Sequence, residues 1–261
     1  MRIIGIDVAR WQGTVNWDKV VESGVQWAWI KCTHGLGSAD PQFLNNWSNS
    51  KGKLPRGVYH WFTDSDPMLQ AQNILTTLEK TGDIGECPIA IDFEEPGTKF
   101  RGQELLDRLR LCLSKVEELS GRAPVLYTGT WYWQQYALNL DAQDLVENYY
   151  LWLAQYPRVM LADKTICAQK PPVLPKPSAP KPWASRNVMP AAWQFDGDGG
   201  CVLPNGVDAD FNEYLADNFD EFCGKVDKKT SPINLIPPAF NQQPVESFIL
   251  ESFLQSLAEN K

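Results

Sequence analysis

Asp92 and Glu94 close the run Cys-Pro-Ile-Ala-Ile-Asp-Phe-Glu (87–94), and their spacing is the strongest chemical signal in this sequence. Ile89, Ala90 and Ile91 after Pro88 predict a short buried strand, and a period of two sets both carboxylates on one face at its end. Buried carboxylates are costly unless they are paired or used in chemistry. Asp7 closes a similar run, Arg-Ile-Ile-Gly-Ile-Asp (2–7). Acids at strand ends in this arrangement point to work on a glycosidic bond. One group protonates the departing oxygen, and a negative charge stabilises the oxocarbenium-like centre. The competing reading is a pair of solvated acids at the start of a loop, and Asp-x-Glu alone does not separate the two.

The elements that must position these acids alternate between strand and helix, the α/β pattern of a parallel sheet or barrel. Strands are predicted at 2–8, 27–32, 57–61, 89–92, 125–128, 150–154, 191–195 and 206–208. Asn16 is placed to cap a short helix running to Ser23. A second helix is predicted over 68–80. The clearest one covers 103–119, where Leu105, Leu109, Cys112, Val116 and Leu119 form one apolar stripe that ends at Gly121. Two regions break the rhythm. Residues 170–182 carry Pro at every second or third position with interspersed Lys, which predicts an extended surface loop of polyproline character. Residues 224–243 read as a polar, Pro-containing linker, and 244–261 as an amphipathic C-terminal helix with Val245, Ile249, Leu250, Phe253, Leu254 and Leu257 on one stripe. Residues 1–223 are then the catalytic domain.

Composition narrows the partners. A net charge of −8 argues against nucleic acid, which requires a basic footprint. No run of about 18 apolar residues predicts membrane insertion. Met1-Arg2 leads directly into a strand, so no signal peptide is expected, and synthesis is assigned to the cytoplasm with action on the outside after release. The six cysteines lie far apart without C-x-x-C or His spacing, which reads as buried reduced thiols. The chain also holds eleven Trp, about a third of which are expected as exposed platforms for sugar rings and the rest as core.

Taken in order, Gly5-Ile-Asp-Val-Ala-Arg-Trp-Gln-Gly13, Val15-Asn-Trp-Asp18, Ile30-Lys-Cys-Thr-His-Gly35, Gly57-Val-Tyr-His-Trp61, Asp92-Phe-Glu94, Val125-Leu-Tyr-Thr-Gly129, Leu151-Trp-Leu-Ala-Gln-Tyr156, Trp193-Gln-Phe195 and Gly206-Val-Asp-Ala-Asp210 form a pattern over residues 2–214. It resembles the glycoside hydrolase family 25 muramidases, the lysozyme-type endolysins of bacteriophages and bacteria. The resemblance implies an irregular (β/α) TIM-like barrel with an acidic groove where the C-terminal ends of the strands meet, here followed by a short C-terminal helical tail. It implies cleavage of the β-1,4 bond between N-acetylmuramic acid and N-acetylglucosamine in peptidoglycan. The family's four acids fall on Asp7, Asp92, Glu94 and Asp208, and its groove-lining residues on Lys31, Tyr59, Tyr127, Trp152 and Gln194. The sequence departs from the family at His34, where an acid is usual, and at Trp61, where Phe is common. Asp210 stands where the family often has Asn, so Asp208, directly after Gly-Val, is assigned to the groove.

Physical chemistry assigns the roles on separate grounds. Glu94 is the better acid, because Phe93 and Pro96 are apolar and nearby Asp92 disfavours its ionisation. Asp92, Asp7 and Asp208 would supply negative charge and orient the 2-acetamido group or a water. Retaining, inverting and substrate-assisted routes all remain compatible with the spacing. Four acids could be mistaken for a Mg²⁺ or Ca²⁺ cage, but no His/Cys ligand set accompanies them, so neither metal nor cofactor is expected. His60 reads as a satisfied core imidazole. Two rivals stand beside the muramidase reading: a chitinase-like barrel glycosidase and a non-catalytic wall-binding virion component. The terminal stripe must bury itself against the barrel, a second copy of the chain or another protein, so self-association through the C-terminal helix is one expected partner mode.

Overall fold

Alternation governs the strands. In β1 (Ile3–Val8), Ile4, Ile6 and Val8 pack into an outer apolar layer while Gly5 and Asp7 face the other way. The same division recurs in β2 (Trp27–His34), where Ala28, Ile30 and Cys32 join the outer layer and Trp27 and Trp29 the inner cluster. It continues through β3 (Arg56–Trp61), β4 (Ala90–Asp92), β5 (Val125–Gly129), β6 (Tyr150–Ala154), β7 (Ala192–Asp196) and β8 (Asp210–Tyr214). A sheet with two apolar faces must be covered on both. In this computed structural model, which describes residues 2–157, 173–197, 201–203 and 209–224, it closes on itself in the order β1 to β8. The outer layer packs against α1 (Trp17–Glu22), α2 (Phe43–Ser50), α3 (Pro67–Glu79), α4 (Gly102–Ser120), α5 (Thr130–Tyr136) and α6 (Gln143–Asn148). The protein is thus an α/β barrel, as expected.

Neighbours from β1 to β7 are parallel, whereas β8 is antiparallel to both β7 and β1. The all-parallel sheet suggested by the alternating elements is corrected on this point. The predicted strand at 206–208 lies outside the described residues, and β8 itself begins two residues later. Its sequence, Asp-Phe-Asn-Glu-Tyr, reads as polar, yet Asn212 and Glu213 are buried. They are tolerated because Asn212 bonds Asp7 and Trp152 and Glu213 pairs with Arg2.

Helix starts and stops follow local chemistry. Asn16 Oδ1 accepts from the Lys19 N–H at the start of α1. Asp66 accepts from the N–H groups of Met68 and Leu69, with Pro67 in the first turn of α3. Gly121 ends α4 at φ 70°, a left-handed position that glycine adopts without steric cost. Leu105, Leu106, Leu109, Cys112, Leu113 and Val116 of α4 are buried, so truncating one of its leucines to Ala would cost roughly 2–5 kcal/mol. Sequence periodicity did not show α2, α5 and α6, which are short and carry polar residues such as Asn46 and Ser50 on their buried sides.

The barrel interior is filled with aromatic rings. Trp29 stacks on Trp152 at 4.1 Å between ring centres and meets Trp27 edge-on at 4.8 Å. A Cβ at Gly5 would overlap the Trp27 indole, and one at Gly57 would lie 2.8 Å from Trp29 Nε1. Phe219 and Phe222 of the last described helix, α7 (Phe219–Phe222), pack under Trp27, Trp29 and Tyr214. This plug closes one end of the barrel and leaves the polar groups at the other.

Cys32, Cys87, Cys112 and Cys223 are free and buried, as expected of reduced thiols, and the sulfurs of Cys87 and Cys223 stand 2.7 Å apart. Cys201 is disulfide-bonded, which corrects the expectation for that residue. Linear spacing carries no sign of cysteines that the fold brings together. Residues 173–182 of the expected proline-rich loop form no regular element apart from a turn at its end. Residues 170–172, the expected linker beyond Gly224 and the expected C-terminal helix lie outside the described residues. Among the described residues no helix is long and apolar enough to cross a membrane.

Candidate active site

Each strand delivers one inward side chain to the open end of the barrel. These are Asp7 from β1, Lys31 from β2, Tyr59 from β3, Asp92 from β4, Tyr127 from β5, Trp152 from β6, Gln194 from β7 and Asn212 from β8. Register sets Lys31 beside Tyr59, Asp92 beside Tyr127, Tyr127 beside Trp152, and Gln194 beside Asn212, whereas a step of two residues separates Asp7 from Lys31, Tyr59 from Asp92 and Trp152 from Gln194. Glu94 follows two residues after Asp92. Of the nine residues singled out, eight are therefore brought to one place, and Asp208 lies outside the described residues. Asp210 stands directly opposite Asp7 in the antiparallel β1–β8 pair and hydrogen-bonds it.

Two carboxamides hold Asp7 rigidly. Asn212 Nδ2 donates to Asp7 Oδ1 at 2.7 Å, and Gln194 Nε2 donates to the same oxygen at 2.8 Å. Their orientations follow from their other partners. The Trp152 indole N–H can only donate, so it fixes the Asn212 oxygen at 2.7 Å. The hydroxyls of Tyr127 and Tyr156 both donate to Gln194 Oε1, at 2.8 and 2.6 Å. Sequence reading missed Asn212 and Tyr156. The i, i+2 spacing of Asp210 and Asn212 was the available signal for the first, and the Gln-Tyr that closes the 151–156 motif for the second.

Burial dominates the electrostatics. It raises Asp7 to about 6, against the hydrogen bonds from Asn212 and Gln194 and the charge of Lys31. Asp210 is pushed up to about 9 by burial and then by the adjacent Asp7 charge, so near neutral pH it keeps its proton and donates it to Asp7. Glu94 is raised to about 7, first by burial and then by Asp7, with Lys31 and the hydrogen bond between Glu94 and Tyr127 opposing. Asp92 is also raised, by burial and by Glu94. Its Oδ1 is buried without a hydrogen-bond partner among the described residues. Lys31 is the nearby cation. Its ammonium lies 4.6 Å above the Trp61 ring and 5.5 Å above Tyr59, and burial lowers its pKa while Asp92 raises it.

The site therefore has an acid poised near neutrality, an anion fixed by two amides and a carboxylate oxygen free to meet a ligand. All three sit above an aromatic floor of Trp152, Tyr59 and Tyr127. His34, at the departure from the family pattern, stacks flat against Trp61 at 5.5 Å on the rim. His60 is buried between Thr33 and Gln70 outside this cluster, as the core reading expected. Among the described residues no three His, Cys, Asp or Glu side chains are grouped to hold a metal ion.

This arrangement of carboxylates at one end of a barrel is what a glycosidase requires, and comparison with known proteins gives the family. Residues 6–199 match Glycosyl hydrolases family 25, and the chain belongs to that family. It is 36% identical over 161 residues to protein YegX of Escherichia coli K12, covering 59% of this chain and 56% of that one. It is 31% identical over 156 residues to the autolytic lysozyme of Clostridium acetobutylicum, covering 58% of this chain and 44% of the other. The chain thus spans about half the length of these relatives. In structure it is similar to the bacterial lysozyme from Streptomyces coelicolor, with TM-score 0.65 and 19% identity over 86% of this chain and 96% of that one.

Proposed function

We propose that the protein is a peptidoglycan hydrolase of the N-acetylmuramidase (lysozyme) type, cleaving the β-1,4 bond between N-acetylmuramic acid and N-acetylglucosamine. The observation that carries this reading is Glu94, raised to about 7 beside a buried Asp92 whose Oδ1 lacks a partner among the described residues. Glu94 protonates the departing glycosidic oxygen. Asp92 Oδ1 accepts from the substrate's acetamido N–H or from the attacking water. Asp7, held by Asn212 and Gln194, supplies the negative charge that faces the oxocarbenium-like centre. The autolytic lysozyme relative supports the substrate class.

The protein's role is that of a lysin, a phage endolysin or virion-associated enzyme, made in the cytoplasm and released onto the wall. The sequence resemblance to phage and bacterial muramidases supports this role. Purified bacterial wall and chitin digested side by side test the activity. Wall cleavage with chitin untouched supports the muramidase, chitin cleavage supports the chitinase-like rival, and binding to wall without cleavage supports a wall-binding component. Detection of the full chain in the wall fraction of lysing cells tests the location. Sedimentation of the full chain beside one ending at Gly224 tests self-association through the terminal helix.

A further inference from the structure

The closed end of the barrel, away from the acids, holds a pair of thiols that the proposed chemistry does not use. Cys87 lies in the segment that leads into β4, and Cys223 follows the last residue of α7. They stand 136 positions apart in the chain, yet their sulfurs lie 2.7 Å from one another and both residues are buried. A disulfide bond is about 2.05 Å long, so a small approach joins them. No other described free thiol competes. Cys32 and Cys112 pack in the outer apolar layer, whereas Cys87 and Cys223 share the inner cluster.

The backbone on either side holds the pair together. The Arg122 guanidinium donates to the Glu86 carbonyl at 2.8 Å and to the Phe222 carbonyl at 3.3 Å. These residues immediately precede Cys87 and Cys223, so one side chain gathers both segments. The Cys87 N–H donates to the Arg56 carbonyl at 3.0 Å, and the Cys223 N–H to the Phe219 carbonyl at 2.9 Å. The Pro88 carbonyl, next to Cys87, accepts from the Trp29 indole at 2.9 Å, and Phe222, next to Cys223, meets the same indole edge-on. Both segments thus brace the ring that stacks on Trp152, whose N–H fixes the Asn212 that holds Asp7.

We propose that Cys87 and Cys223 form a disulfide that staples α7 across the base of the barrel once the chain meets a small-molecule disulfide as oxidant. Exchange balances the step. A thiolate of the pair attacks one sulfur of the oxidant, releasing one thiol and leaving a mixed disulfide on the protein. The second cysteine gives up its proton, attacks the protein sulfur of that intermediate and expels the second thiol. The protein loses two electrons and two protons, and the oxidant leaves as two thiols. Cys223 makes the first attack, because it ends a four-residue helix whose local opening exposes it. Inside the closed fold, burial and the neighbouring Cys223 hold the Cys87 thiol well above its usual range and suppress its thiolate. Cys201 is already disulfide-bonded, in keeping with a chain that persists in an oxidising compartment.

The test takes the full chain folded in reducing buffer, transfers it to oxidised glutathione, alkylates the remaining thiols in denaturant and digests it without reduction. Mass spectrometry is expected to find a peptide linked through Cys87 and Cys223, with Cys32 and Cys112 alkylated. Reductant also opens the bond at Cys201, so melting temperatures are compared among oxidised wild type, Cys87→Ala, Cys223→Ala and the double variant. Each single variant should lose roughly 10 °C, the effect of opening so long a loop. The double variant should lose little more, because the same bond is missing from all three. In excess dithiothreitol the gap to wild type should narrow. Losses that add, and that persist in dithiothreitol, are those of two separate buried thiols and overturn the staple. Cys87 and Cys223 both alkylated, or each capped by glutathione, in oxidised wild type also overturn it, and that readout needs no variant to fold. Neither readout involves wall cleavage, so the outcome is independent of the muramidase reading.

Discussion

Asp210→Asn replaces the protonated member of the Asp7–Asp210 pair with a neutral group that still donates a hydrogen bond. In the folded chain Asp210 holds its proton up to about 9, whereas an unperturbed aspartate loses it at 3.8. The sign follows from proton binding. Between these values the native state carries a proton that the unfolded chain has released, so stability falls as pH rises through that window. From about pH 4 to about pH 7 the window covers about 3 units, or on the order of 4 kcal/mol at about 1.4 kcal/mol per unit. Sharing of the proton with Asp7 divides this between the two groups and leaves about 2 kcal/mol for Asp210. Thermal and urea unfolding of both proteins across this range should show Asp210→Asn gaining about 2 kcal/mol on wild type between acid and neutral pH. In melting temperature this is roughly 4–8 °C for a chain of this size. A difference between the two proteins that does not change with pH would refute the buried, protonated Asp210.

Other residues give further expectations. Lys31→Met removes the cation that holds Glu94 and Asp92 down, so the alkaline limit of activity should move upward from about 7 while turnover falls; an unmoved pH–rate profile would show that Lys31 does not face these acids. Asn212→Leu takes one of two amides from Asp7 and strands the Trp152 N–H, so both activity and stability should drop, the latter by about 1–3 kcal/mol. Wild-type stability and rate in this variant would contradict the fixed Asp7. Cys32, Cys87, Cys112 and Cys223 are buried, and burial pushes Cys32 up to about 12, so iodoacetamide should label none of the four in the native protein and all of them after denaturation and reduction.

The inner and outer faces of most strands could be read from the sequence because the strands alternate and Ile, Val and Leu dominate the outer face of β1, β4, β5 and β6. The inward ring of Asp7, Lys31, Tyr59, Asp92, Tyr127, Trp152 and Gln194 follows from that alternation together with the resemblance. Strand β8 was not legible. Its buried polar residues are satisfied by Asp7 and Arg2, more than 200 positions away in the chain, and no local pattern announces such partners. The same cause hid the position of Asp210. Local rules favoured Asp208 after Gly-Val, while the place of Asp210 beside Asp7 depends on an antiparallel pairing that the βα rhythm argues against. Tyr156 escaped because an exposed ring and a core ring look alike in sequence.

The central claim is that Glu94 is the acid that cuts a muramic glycosidic bond. It is tested most directly by digesting purified peptidoglycan with wild type and Glu94→Gln, reducing the new ends with borohydride and identifying the reduced sugar. The account predicts N-acetylmuramitol from wild type. It predicts a rate lower by roughly 10²–10⁴ in Glu94→Gln, the contribution of general acid catalysis, with unfolding little changed. Reduced N-acetylglucosamine ends, or a Glu94→Gln variant within a few-fold of wild type, would contradict it.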